Sequence, residues 1–132
     1  MALSHCKTTV ELREISLKER PEALLLISPK GTVPVLKLPD NTILEESLDI
    51  MLWALNKNNS TWLESNMDMQ KDMIFANDTD FKYYLDRYKY NDRYPEQSKK
   101  EYNKECKTFL RNYENKLSNT KFLLSNSIQF AD

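Results

Sequence analysis

Glycine is nearly missing from this chain: 132 residues hold one, Gly31. A dinucleotide-binding fingerprint needs three glycines and a P-loop needs two, because main chain must come close to phosphate. Both are excluded. Histidine is as scarce, with His5 alone, and the two cysteines, Cys6 and Cys106, lie far apart and form no C-x-x-C pair. A closed structural zinc site therefore lacks ligands, and no metal is expected. A Ser-His-Asp triad would have to use His5, and no G-x-S-x-G precedes it. No apolar run approaches the ~20 residues of a membrane span, and no basic segment followed by an apolar one opens the chain as a signal peptide would. A soluble protein in a reduced, cytoplasmic compartment is expected.

The apolar fraction is 40%, the charged fraction 30% and the net charge −1. This suits one domain, or two small ones sharing an interface. Val10-Glu11-Leu12-Arg13-Glu14-Ile15-Ser16-Leu17 nearly alternates and predicts a strand. A turn at 18–20 leads to Pro21, expected at the first position of a short helix through Ile27, which Ser28-Pro29 stops. Val33-Pro34-Val35-Leu36-Lys37-Leu38 predicts a second strand. The turn residues Pro39-Asp40-Asn41 connect it, as a hairpin, to a third strand starting at Thr42. Ser47 is expected to cap a helix through Leu55 whose apolar residues Leu48, Ile50, Met51, Ala54 and Leu55 fit helical spacing.

Beyond residue 57 every strand signal stops. Residues 58–66 read as a polar linker. Residues 67–90 read as a long helix with Met69, Met73, Ala76, Tyr84 and Tyr88 near a 3.6-residue period. Residues 98–117 read as another, with Tyr102, Cys106, Phe109, Tyr113 and Leu117 on one face. The order β-α-β-β-α, linker, helices describes an α+β unit at 1–57 followed by an all-α unit at 67–132. Residues 82–121 carry eleven Lys/Arg against six acids, interleaved with tyrosines, while 61–81 carry −4. That surplus would suit single-stranded nucleic acid. It equally suits a solvated helix face opposite an acidic neighbour, which is the reading preferred, so no nucleic-acid partner is expected.

Taken together, the helix of 21–27, the loop of 28–32, Val33-Pro34, the hairpin of 36–44 and Glu46-Ser47-Leu48-Asp49-Ile50 resemble the thioredoxin-like domain of cytosolic glutathione transferases. The helical second half resembles that family's second domain, and "NDTDFKYYLDRYKYNDRYPE" (77–96) is similar to a bacterial subgroup. The resemblance implies a partial thioredoxin-like domain followed by a partial all-helical domain. It also implies that the strand, half helix and catalytic Cys, Ser or Tyr which open the family's fold fall before Met1. Met1 to Cys6 would then be the last turns of that helix, and no residue of this chain is expected to be catalytic. "SIQFAD" is similar to the family's S-x-A-D box, except that Gln129 replaces the usual Ser or Thr. Asp132 would close a capping box there.

Further implications concern the site. The Val33-Pro34 bond would be cis, so that Val33 offers its main chain to an extended tripeptide. On spacing alone, a trans proline at a strand edge is the alternative. Glu46 would receive the amino group of glutathione's γ-glutamyl end and Ser47 its carboxylate, at a helix N-terminus that favours anions. An ordinary cap and a solvated glutamate is the alternative. Arg20 would meet the glycine carboxylate, or stand as a surface cation, and Lys30 could do the same work. Tyr84, Arg87 and Tyr88 would contact the electrophile or pack between domains. Cys6 and Cys106 read as small apolar residues. Glutathione would be a co-substrate and not a resident cofactor. The implied activity is conjugation of glutathione thiolate to a small electrophile, or reduction of a glutathione mixed disulfide, by a cytoplasmic homodimer in the intact form. A non-catalytic interaction module of the same fold is the alternative.

Overall fold

A computed structural model of the chain describes residues 1–64 and 66–132. The chain divides into two compact units, Met1–Ser60 and Thr61–Asp132. The expected linker at 58–66 is therefore shorter than its polarity suggested. Thr61–Leu63 form a 3₁₀ turn whose Trp62 is buried within the second unit. Ser65 of that linker lies outside the described residues.

In the first unit α1 (Ala2–His5) is a single turn that packs on α3 (Ser47–Lys57). Ala2 of α1 and Ile50, Ala54 and Leu55 of α3 are the buried apolar residues of this unit. Leu55 has no solvent exposure, and burying a side chain of that size contributes about 2 kcal/mol. His5 Nε2 lies 3.2 Å from Ser60 Oγ, at the far end of the unit in sequence.

The expected strand at Val10–Leu17 does not form. The segment has no regular secondary structure, and its one pairing among the described residues is an isolated bridge between Ser16 and Glu19. Leu12 is 78% exposed and Leu17 58%. The alternating pattern leaves one trace: Arg13 Nε and Glu11 Oε1, two residues apart, meet at 2.9 Å. What is missing is a neighbouring strand. Without one, the ladder hydrogen bonds that stabilise a strand cannot be made.

Helix α2 (Glu22–Ile27) follows Pro21, which is the N-cap and not the first helical residue: its ψ of 142° is extended. Pro29 ends the helix as expected, because it disfavours helical dihedrals at the residue before it. Ser28 accordingly has φ −142° and ψ 92°. The hairpin is shorter than expected. Strand β1 (Leu36–Lys37) pairs antiparallel with β2 (Ile43–Leu44), with Leu36 opposite Leu44 and Lys37 opposite Ile43. Pro34 has no N–H to give a ladder, and the pairing begins only beyond it. At the turn Asp40 Oδ1 accepts the Thr42 N–H at 2.9 Å and Asn41 takes φ +67°, both habits of those residue types.

In the second unit α4 (Met67–Ala76), a π-helical turn (Asn77–Phe81) and α5 (Lys82–Lys89) run continuously over the expected 67–90. Thr79 Oγ1 donates to the Phe75 carbonyl at 2.8 Å and Lys82 pairs with Asp78 at 2.7 Å across the π turn. Met69 is exposed, and Gln70, with no solvent exposure, holds the core position. Its Nε2–H donates to the Trp62 carbonyl at 3.1 Å and its Oε1 accepts the Ala131 N–H at 3.1 Å. One polar side chain thus joins both ends of the unit. Helix α6 (Lys99–Leu117) buries Tyr102 and Cys106 on the expected face and packs on α5, with Phe109 stacked on Phe81 at 5.1 Å. Leu117 is exposed, so the stripe fades in the last turn. The S-x-A-D likeness survives in half of its cap: the Gln129 N–H donates to Asp132 Oδ2 at 2.7 Å.

Ser98 opens α6 with a capping box. Its side chain accepts the Glu101 N–H at 3.3 Å while Glu101 Oε2 accepts the Ser98 N–H at 2.8 Å. The Ser98 hydroxyl, which donates to Glu101 Oε2 at 2.7 Å, and after it the Ser98 N–H hold the Glu101 carboxyl below its usual range. A depressed carboxylate stabilises above its unfolded pKa and loses that effect as pH falls through its folded one. Thermal melts followed by far-UV circular dichroism should therefore drop as the solution passes below the ordinary glutamate range. Ser98→Ala should cost about 1 kcal/mol at neutral pH and flatten that acid step. Gln70→Met should cost about 1 to 3 kcal/mol in urea unfolding, because it takes its partner from the part-buried Ala131 N–H, while the Trp62 carbonyl keeps the Phe130 N–H. An unchanged midpoint would show that water takes the place of the amide oxygen.

Candidate functional site

Four short pieces of the first unit build the site: the end of α2, the loop of residues 28–34, the exit of β2, and the start of α3. The loop is turned by Gly31, whose φ is +61° and whose N–H donates to the Ser28 carbonyl at 2.8 Å. A side chain is disfavoured there on two counts. The positive φ strains any residue with a Cβ, and a Cβ would lie 3.0 Å from both Arg20 Cδ and Leu25 Cδ2, which would have to give way. The Arg20 stem therefore lies across Gly31, two residues before Val33. Proximity to the loop is thus observed for Arg20, with its guanidinium left to solvent.

The Val33–Pro34 peptide bond is cis. Val33 is exposed, and neither its N–H nor its carbonyl has a partner among the described residues. An open main-chain donor and acceptor on one residue is what a strand-like ligand needs.

At the helix start the sequence expectation requires a correction of position. Ser47 is the first helical residue and Glu46 is the N-cap, with φ −107° and ψ 141°; no side chain caps the helix. Glu46 takes the cap because its carbonyl already accepts the Ile50 N–H at 3.1 Å. The N–H groups of the first turn remain open, as at any helix start. The Ser47 side chain is exposed and makes no bond among the described residues. Asp49 in the same turn offsets part of the positive end of the helix.

Lys30 was expected near the glycine end with Arg20. The structure puts its Nζ 3.5 Å from Glu46 Oε1, at the other end. Both side chains are well exposed, so the pair adds little stability. Its meaning is geometric: a cation, a carboxylate and a helix N-terminus converge. Sequence reasoning missed one further group. Ser28, fully buried, donates from Oγ to Glu45 Oε1 at 2.6 Å. Nothing in residue spacing joins two positions separated by a loop and a hairpin.

The second-unit candidates do not share one place. Tyr84 lines an open groove of about 640 Å³ with Thr79, Tyr83, Thr108 and Phe109. The Arg87 guanidinium is held between two rings, 3.5 Å from the Tyr83 centroid and 4.5 Å from that of Tyr94, and Nη1 donates to the Tyr83 carbonyl at 3.3 Å. Tyr88 is faced by Lys99 at 5.1 Å. Arg87 and Tyr88 are thus engaged in local cation–π contacts, as is Arg93 on Tyr90 at 5.1 Å. Burial pushes the Cys106 thiol up, which leaves it a poor nucleophile. Cys6 is half-buried at the end of α1. No helix among the described residues is long and apolar enough to cross a membrane.

A helix–loop–hairpin–helix unit with an exposed Val-Pro and an acidic residue capping its last helix, followed by a helical unit, defines a partial thioredoxin-like domain joined to an all-α domain. Residues 1–62 match the family described as glutathione S-transferase, N-terminal domain. Two solved structures are similar over 98% of this chain and 69% of theirs. One is BphK, a bacterial glutathione S-transferase solved as a ternary complex, at 19% identity and a TM-score of 0.78. The other is glutathione S-transferase-I bound with lactoylglutathione, at 21% identity and a TM-score of 0.73. No curated protein gives a significant match. The family match covers residues 1–62, just under half of the chain, and the two structural matches give the chain as a whole the glutathione transferase fold.

Gly31→Ala should lower the stability of the first unit by about 1 to 2 kcal/mol through the positive φ alone. It should also displace Arg20. Urea unfolding monitored on the 132-residue chain checks the first effect, and a change at or below the error of the fit would mean that the loop has another resting conformation.

Proposed function

We propose that the first unit binds glutathione, and that the chain supplies the glutathione-holding part of a transferase. The observation that carries this reading is the meeting of Glu46, Lys30 and the first turn of α3. A γ-glutamyl end is a zwitterion, with an ammonium and a carboxylate on one carbon. Glu46 takes the ammonium. The carboxylate goes to the Ser47 hydroxyl and the open N–H groups beneath it, where the helix dipole favours an anion, with the Lys30 ammonium beside it. The cysteinyl part pairs its main chain with Val33, next to the cis Pro34, and the glycine carboxylate reaches Arg20. Each end of the tripeptide thus meets opposite charge and its middle meets open backbone.

No residue of this set activates the thiol, so binding and not catalysis is assigned to them. Attack of a glutathione thiolate on a small electrophile, or on a mixed disulfide, is the reaction class that follows. Among the second-unit candidates Tyr84 keeps the role of electrophile contact, because it lines a groove with an aromatic wall. Arg87 and Tyr88 have their faces taken by neighbours and become packing residues. Action as a homodimer in the cytoplasm belongs to the same reading.

Isothermal titration with reduced glutathione tests it. Saturable one-site binding is expected, with Glu46→Ala and Ser47→Ala each weakening it about tenfold, the scale of one lost hydrogen bond to a charged group. Lys30→Ala should weaken it less, since the pair it leaves is solvent-exposed. Absence of heat and of retention on immobilised glutathione would favour a non-catalytic interaction module instead.

A further inference from the structure

The bond between the buried Ser28 and the half-buried Glu45 has no part in the contacts assigned above, and yet both residues touch the machinery of the site. Ser28 is fixed on three sides. Its N–H donates to the Leu24 carbonyl at 2.8 Å, which closes α2. Its carbonyl accepts the Gly31 N–H at 2.8 Å, which closes the loop. Its Oγ–H donates to Glu45 Oε1 at 2.6 Å, with Ser28 wholly removed from solvent. That length falls among short hydroxyl–carboxylate bonds. Glu45 is the residue between β2 and the Glu46 cap, so one hydroxyl ties the loop that carries Lys30, Gly31 and Val33 to the start of α3.

Little else in the unit could do so. The hairpin is two residues deep on each strand, and the Lys30–Glu46 pair is solvent-exposed. A site made of two pieces needs their separation held to a fraction of an ångström for a ligand to span both. We propose that Ser28 and Glu45 are a positioning pair, whose hydrogen bond sets the spacing between the Val33 loop and the Glu46–Ser47 helix start and so matches the site to a ligand of fixed length. Neither residue touches the ligand. The acceptor oxygen of Glu45, and not its charge, is what the pair requires. The ligand readout rests on the glutathione reading; the conformational readout does not.

Hydrogen exchange on the unliganded full chain decides the proposal. Ser28→Ala and Glu45→Ala should each speed exchange at the amides of residues 28 and 31, the two that are hydrogen-bonded in the loop, by about tenfold or more, the scale of losing one hydrogen bond to a charged group. Amides of residues 50–57 should keep their rates. Glu45→Gln, which retains a carbonyl oxygen for Ser28, should stay close to the parent protein. Unchanged loop exchange in both alanine variants would overturn the proposal. So would Glu45→Gln behaving like Glu45→Ala, which would make the charge the essential property. Loss of the helical circular dichroism in both alanine variants would overturn it as well, because the pair would then be a folding element. In titrations, Ser28→Ala should weaken glutathione about tenfold and Glu45→Gln should not. If the parent protein fails to bind glutathione, the functional reading falls, while the exchange experiment still decides the pair.

Discussion

A two-stranded ribbon is marginal in water and cannot by itself hold a loop in register, and this is all the sheet that the first unit has. The constraint shapes everything around the candidate site. Apolar burial is confined to the contact between α1 and α3, where Ala2, Ile50, Ala54 and Leu55 are enclosed. The loop that carries Val33 contributes no side chain to that contact. Its shape comes from polar and steric terms: a glycine at positive φ, an arginine stem lying across that glycine, and a buried serine hydroxyl aimed at a carboxylate. Buried hydrogen bonds of this kind contribute modestly when made and cost much more when broken. That asymmetry is how a weak scaffold can hold a defined geometry.

The second unit solves a related problem differently. Its two ends, Trp62 and Ala131, are brought together by the two arms of the Gln70 amide. An amide can donate and accept at once, which an apolar residue at that position could not. The tyrosine-rich stretch that followed from the sequence as a possible stacking surface is largely turned on its own cations. Arg87 between Tyr83 and Tyr94 is the clearest case.

Most elements were legible because their signals are local. Pro29 stopping α2, Asp40 and Asn41 turning the hairpin, and the apolar face of α3 each follow from residues within one turn of each other. The resemblance to glutathione transferases rested on such signals in order, and the family match over 1–62 and the shared fold agree with it. Errors arose where structure depends on a distant partner. Val10 to Leu17 has strand chemistry without a strand beside it. Gln70 looked polar and took a core place that Met69 had been expected to fill. Ser47 looked like a cap by residue type, but the chain enters the helix one residue earlier. Lys30 and Ser28 could not be placed by spacing, because loop closure decided what they meet.

Residues 9–15 make no backbone hydrogen bond among those described, and their side chains stand largely in water. An irregular, unpaired, exposed main chain is the form that a protease cleft reaches most easily. Arg13 lies in this stretch and Lys18 and Arg20 just past it. Trypsin should therefore nick the first unit here before it enters any helix, leaving α1 on its own peptide, held by its packing on α3 and by the contact of His5 with Ser60.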